Sequence, residues 1–114
     1  MTRDKTDVSL REMLDYSREA LSFVENVEFQ QFESDRMSSL AVVRLVEIVG
    51  EAANRIPTDV QSQYPKIPWR EIIDMQNVIA HGYDILDYEI LWKVLEYDLP
   101  RLIQALEKII PQEN

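Results

Sequence analysis

Residues 35–57 read DRMSSLAVVRLVEIVGEAANRIP, and this stretch decides the fold. Wound at about 3.6 residues per turn, Met37, Leu40, Ala41, Val42, Leu45, Val46, Ile48, Val49, Ala52, Ala53 and Ile56 cover more than half the circumference. A helix lying on a surface needs only one apolar stripe. This breadth therefore predicts a central helix over 35–55, contacted from two sides. Gly50 inside it costs about 1 kcal/mol relative to Ala, which predicts close approach of a neighbouring backbone. Pro57 stops the helix.

Upstream, Leu10, Met13, Leu14, Leu21, Val24 and Val27 recur at helical spacing and predict a helix over 9–27. Ser9 followed by Glu12 is a capping-box pattern for its start. Residues 28–35, polar apart from Phe29 and Phe32, read as a connection. Downstream, Thr58 is suited to cap a short turn through Tyr64, and Pro68 suits the first position of a third helix. That helix carries Trp69, Ile72, Ile73, Ile79 and Ala80 on one face, and Gly82 is placed to close it. Asp87 is placed to cap a last helix over 88–108. Pro100 falls inside that pattern, yet the apolar repeat resumes at Leu102, Ile103 and Leu106, so a kink is expected at Pro100 rather than an end. Two glycines in 114 residues leave too little turn chemistry for a many-stranded sheet. The expectation is a single all-α domain over 1–114, an antiparallel bundle of four main helices.

Composition narrows the chemistry. Apolar residues make up 46% of the chain, enough for one core. Twelve Lys and Arg stand against 21 Asp and Glu, for a net charge of −9. Such a chain lacks the cations to wrap duplex DNA or an anionic membrane, although a local pocket can still hold a short nucleic-acid segment. With no Cys, disulfides, thiolate zinc sites and cysteine nucleophiles are excluded, and one His excludes a multi-histidine metal site within one chain. No apolar run reaches the roughly 20 residues of a membrane span, and the first residues, MTRDKTDVSLREML, do not resemble a secretory signal. A cytoplasmic protein without membrane contact is expected.

The segment 75–83, MQNVIAHGY, stands apart. Gln76 falls in the middle of the Trp69–Ala80 stripe, where a polar amide needs a partner or a function. His81 falls at the expected helix end, where the dipole favours its charged form. Taken singly, each has an ordinary structural role: a helix-terminal His, a satisfied interface amide, and in Tyr83 a core ring with its hydroxyl at the edge.

Together with AVVRLVEIVGEAANRIP at 41–57, the segment IPWREIIDMQNVIAHGYDILDYEILWKVLEYDLPRLIQALEKII at 67–110 resembles the HepT proteins. These are the HEPN-domain toxins of HEPN/MNT toxin–antitoxin pairs. The family hallmark is an Arg, four residues, a His, one residue and a Tyr. His81, Gly82 and Tyr83 match it, Asn77 matches the polar residue that often follows the Arg, and Gln76 occupies the Arg position. The resemblance implies a HEPN-like bundle and a metal-independent endoribonuclease with no cofactor. In that mechanism His81 moves protons at the ribose 2′-hydroxyl or the leaving oxygen, while the Arg, here Gln76, neutralises charge on the phosphate. It further implies a homodimer, RNA as substrate and an MNT-type nucleotidyltransferase antitoxin as partner. That antitoxin silences the toxin by transferring AMP to Tyr83. Met75 and Val78, placed away from the Trp69–Ile73 stripe, add a second apolar side to the third helix and support the dimer. The net charge predicts RNA contact confined to the cleft of the motif, with Arg44, Arg55, Lys66 and Arg70 as nearby cations. The alternative is a non-catalytic HEPN subunit that only binds its nucleotidyltransferase.

Overall fold

The computed structural model describes residues 5–80 and 87–111, with side chains described outside 76–80. Among them the chain is helical, with no strand. The elements are α1 (Lys5–Ser22), α2 (Phe29–Ser34), α3 (Arg36–Asn54), α4 (Thr58–Gln63), α5 (Trp69–Ala80), α6 (Tyr88–Lys93), a π-helical turn (Val94–Asp98) and α7 (Leu99–Ile109). The main helices α1, α3, α5 and the run from α6 to α7 form the expected all-α bundle. No helix among the described residues is long and apolar enough to cross a membrane.

At the centre, α3 packs against α1 on one side and α5 on the other. Val42, Val46, Val49, Ala52 and Ala53 are fully buried, and each large aliphatic side chain buried in this way contributes about 1.5–3 kcal/mol. Gly50 is buried with them, in a helix flanked closely on both sides. The breadth of the apolar face does not extend to its first turn: Met37 is 85% exposed and Leu40 46%. The chain's other helices cover α3 further along and leave these two side chains open. Asp35 caps α3 by accepting hydrogen bonds from the Ser38 N–H at 3.1 Å and the Ser38 hydroxyl at 2.8 Å. Those bonds, the backbone one first, hold its carboxyl below the usual 3.8.

The first helix departs from its expected bounds. It begins by Lys5, with Asp7 in its first turn, where an acid suits the dipole. Ser9 is buried inside it rather than capping it, next to Leu10 on the packed face. Glu12 is instead paired with Arg55 at 3.2 Å. The helix also stops at Ser22, five residues short of Val27, because tight turns replace it and Asn26 takes φ of 60°, a left-handed conformation that Asn tolerates. Val24 and Val27 still pack on the core from these turns.

The expected connection over 28–35 contains α2. Its Phe32 is 1% exposed and sits among rings of the last helix: Tyr88 at 6.2 Å and 77°, Trp92 at 5.4 Å and 39°. Phe29 adds an edge contact to Trp92 at 5.6 Å and 70°. On its other side, the buried Ser39 hydroxyl of α3 donates to the Phe32 carbonyl at 3.0 Å. The small α2 thus ties α3 to α6.

Beyond Pro57, which itself holds the cap position of α4, the link to α5 is fixed by one indole. The Trp69 ring N–H donates to the carbonyls of Gln61 at 3.0 Å and Tyr64 at 3.1 Å. Pro68 precedes α5 instead of opening it, its carbonyl accepting from the Ile72 N–H at 3.0 Å. Asp87 caps α6 as expected, accepting from the Ile90 N–H at 3.1 Å. At Pro100, where a kink rather than an end is expected, the helix continues through a π turn directly ahead of the proline. Proline lacks an N–H and its ring crowds the carbonyl four residues back. The Leu99 N–H reaches back five residues to the Val94 carbonyl, and the inserted residue relieves that crowding. Leu91, Leu95, Leu99, Leu102 and Leu106 remain on the buried side. Finally, α7 runs antiparallel to α1: Arg18 pairs with Glu107 at 2.7 Å, and Arg11 donates to the Pro111 carbonyl at 2.9 Å.

Candidate functional site

The helix that carries the motif is oriented by three of its own residues. Trp69, Ile72 and Met75, at spacings of three, are buried, with Ile72 fully so, and they hold α5 against α3. Met75 therefore packs inside the single chain. This corrects the expectation that it lies away from the stripe: the stripe follows the i, i+3, i+6 line rather than the broader face drawn through Ile73.

Gln76 and Asn77 lie in α5, in the five residues that end at Ala80. Gln76 follows Ile72 by four residues and so continues the same side of the helix in register. The side chains of Gln76 and Asn77 lie outside the described residues, as does that of Val78, and so do His81, Gly82 and Tyr83. The motif is thus bracketed by two well-fixed ends: α5, packed on α3, and the Asp87-capped start of α6, whose Tyr88 and Trp92 grip Phe32. Sequence reasoning missed these supporting rings. The signal was there in Tyr88 and Trp92 at i, i+4 and Phe29 and Phe32 at i, i+3.

The nearby cations divide into two groups. Arg44 is engaged with Glu47 at 3.6 Å and Glu51 at 3.3 Å, and Arg55 with Glu12. Arg70 is exposed, while Lys66 borders a groove between the α4–α5 link and α7.

No solved structure gives a significant match to the chain. Among curated relatives, a Methanocaldococcus jannaschii protein named "Putative RNase MJ1216" is 35% identical over 101 residues, covering 89% of this chain and 84% of that protein. A Thermococcus cleftensis protein named "Probable ribonuclease HepT" is 38% identical over 87 residues, 76% of this chain and 79% of its own. A second Methanocaldococcus jannaschii protein, "Putative RNase MJ1380", is 29% identical over 107 residues, 94% and 98% of the two chains. The family model described as ribonuclease HepT-like matches residues 13–109. That span runs from the core of α1 through the whole motif to the end of α7, and the chain belongs to the HepT-like ribonuclease family.

Proposed function

We propose that the chain is the toxin of a HEPN/MNT pair, a cytoplasmic, metal-independent endoribonuclease whose activity is reduced by Gln76. The observation that carries this reading is the match over residues 13–109, which includes Gln76, Asn77, His81 and Tyr83. In the reaction, the ribose 2′-oxygen forms a bond to phosphorus as the bond to the 5′-oxygen breaks. One proton leaves the 2′-hydroxyl and one reaches the 5′-oxygen, so no water, oxidant or cofactor is consumed. His81 is the proton-transfer group. The phosphate gains charge in the transition state, and a guanidinium at position 76 neutralises it through two donors. Gln76 offers hydrogen bonds without charge, and losing such a contact lowers rate by about 10²–10³.

In AMP transfer by a nucleotidyltransferase antitoxin, the Tyr83 oxygen loses its proton and bonds to the α-phosphorus of ATP as pyrophosphate leaves. This places a phosphate two residues from His81, which blocks the RNA phosphate by occupancy and charge. A homodimer brings two motifs to one cleft. With Met75 internal, its support within this chain is the exposed Met37 and Leu40 at the start of α3.

The test is cleavage of total RNA in EDTA. Gln76→Arg gives a growth-inhibiting ribonuclease, Gln76→Arg with His81→Ala does not, and Tyr83→Phe escapes silencing by the nucleotidyltransferase. A folded, dimeric Gln76→Arg protein that leaves RNA intact overturns the reading in favour of the non-catalytic subunit, which Gln76 itself favours.

A further inference from the structure

The groove between the α4–α5 link and α7 has a volume of 710 Å³, the size of a pocket for one small organic ligand. Its apolar lining includes Tyr64, Pro65, Ala105 and Ile109. Its charges run against those of the molecule. Three cations, Lys66, Arg101 and Lys108, face two carboxylates, Glu71 and Asp98, in a chain with 12 cations and 21 acids.

These cations also differ from others in the chain. Arg18, Arg44 and Arg55 are each engaged with a carboxylate. Lys66, Arg101 and Lys108 form no ion pair with any described residue, so their charge is available to a ligand. Asp98 shares this field: burial raises its pKa, Lys93 and Arg101 pull it down, and Glu71 adds to the rise. The π turn that ends at Asp98 brings Lys93, Asp98 and Arg101 into one field. An apolar floor beneath unpaired cations, with the Gln63 and Gln104 amides at hand, matches a planar base joined to a phosphate.

We propose that this groove binds one nucleoside-phosphate unit, its phosphate held by Lys66, Arg101 and Lys108 and its base laid on the apolar lining. The unit comes from single-stranded RNA or from a free nucleotide. The RNA source rests on the ribonuclease reading, and the charge and shape of the groove do not. Glu71 lines the groove and lies five residues, about 7.5 Å of helix rise, before Gln76, so a strand seated here has the motif further along the same helix.

The experiment titrates the full chain with a labelled 2′-O-methyl oligonucleotide of about eight nucleotides, a length that single-strand sites accommodate. AMP is titrated in parallel. Arg101 is exposed, so Arg101→Ala keeps the fold, which circular dichroism verifies. The expected result is binding by at least one probe, weakened about tenfold in Arg101→Ala and again in Lys66→Ala with Lys108→Ala. For the oligonucleotide the salt slope falls by about one per cation removed. Arg36→Ala, which removes an exposed cation outside the groove, leaves binding unchanged. Oligonucleotide binding without AMP binding assigns the RNA source, and AMP binding alone assigns the free nucleotide. The proposal is overturned by binding of neither probe, by equal loss in Arg36→Ala, or by no loss in Arg101→Ala. An inert Gln76→Arg protein that still binds AMP in the groove removes the ribonuclease reading alone. A cleaving Gln76→Arg protein that binds neither probe in the groove removes this one alone.

Discussion

Two long helical stretches each contain a residue that helices disfavour, and they accommodate it differently. In α3, Gly50 lies between Val49 and Glu51 without any break in the helix. In the terminal stretch, Pro100 is preceded by a turn whose hydrogen bonding has widened to i→i−5. The glycine lacks only a side chain, and a tightly flanked helix absorbs its cost of about 1 kcal/mol. The proline lacks a donor and adds a ring, at about 3 kcal/mol or more in an unrelieved helix, and packing cannot compensate for a clash in the backbone itself. A missing group is handled by neighbours, and an obstructing one by the chain's own hydrogen bonds.

The comparison breaks most severely where the two stretches are joined. Phe32 contacts the terminal stretch through Tyr88 and Trp92, and its carbonyl receives Ser39 of α3. Phe32→Ala is expected to cost about 3–5 kcal/mol, measured by urea unfolding. If the loss is under 1 kcal/mol, α2 is not the tie between the two. Gly50→Leu tests whether α3 relies on close approach. Overpacking there is expected to cost about 1–3 kcal/mol, and an unchanged denaturation midpoint rejects the close approach. Pro100→Ala restores the donor yet is expected to shift stability by less than about 1 kcal/mol, because Leu99, Leu102 and Leu106, all fully buried, hold the register that the π turn created. A gain well above that, read as the melting temperature, means the turn is strained.

The smallest effect is electrostatic and has two signs. The Asp35 carboxyl is held below 3.8 in the folded chain, so its contribution is present above the unfolded pKa and lost as pH falls through the folded one. Asp98 is raised by burial, so it carries a penalty above its folded pKa that acid relieves. In acid titrations of stability, Asp35→Asn flattens the loss at low pH, and Asp98→Asn gives a slight gain at neutral pH. Reversal of either sign contradicts these assignments.

How much of this was legible depends on sequence separation. The α3 core was readable because one residue in every turn reports on burial, and Pro100 was readable because its chemistry does not depend on context. The start of α1 was not, since Ser followed three residues later by Glu is as compatible with a helix interior as with a cap. Nor was α2: six residues hold fewer than two turns and no measurable period, and Phe32 owes its burial to rings more than fifty positions away. The motif at Gln76, His81 and Tyr83 was legible as a local pattern. The groove was not, because Lys66, Arg101 and Lys108 converge only after α5 and α7 have packed.

The seam between α1 and α7 bears on how the molecule is made. Arg11 and Arg18 meet partners 100 and 89 positions downstream. As the polypeptide leaves the ribosome, α1 can dock on α3 and α3 on α5 early, since those meetings close shorter loops. Its opposite flank stays uncovered until α7 has been translated. The flank of α1 that faces α7 is therefore among the last surfaces to be shielded, and in a stalled nascent chain it is open to chaperones.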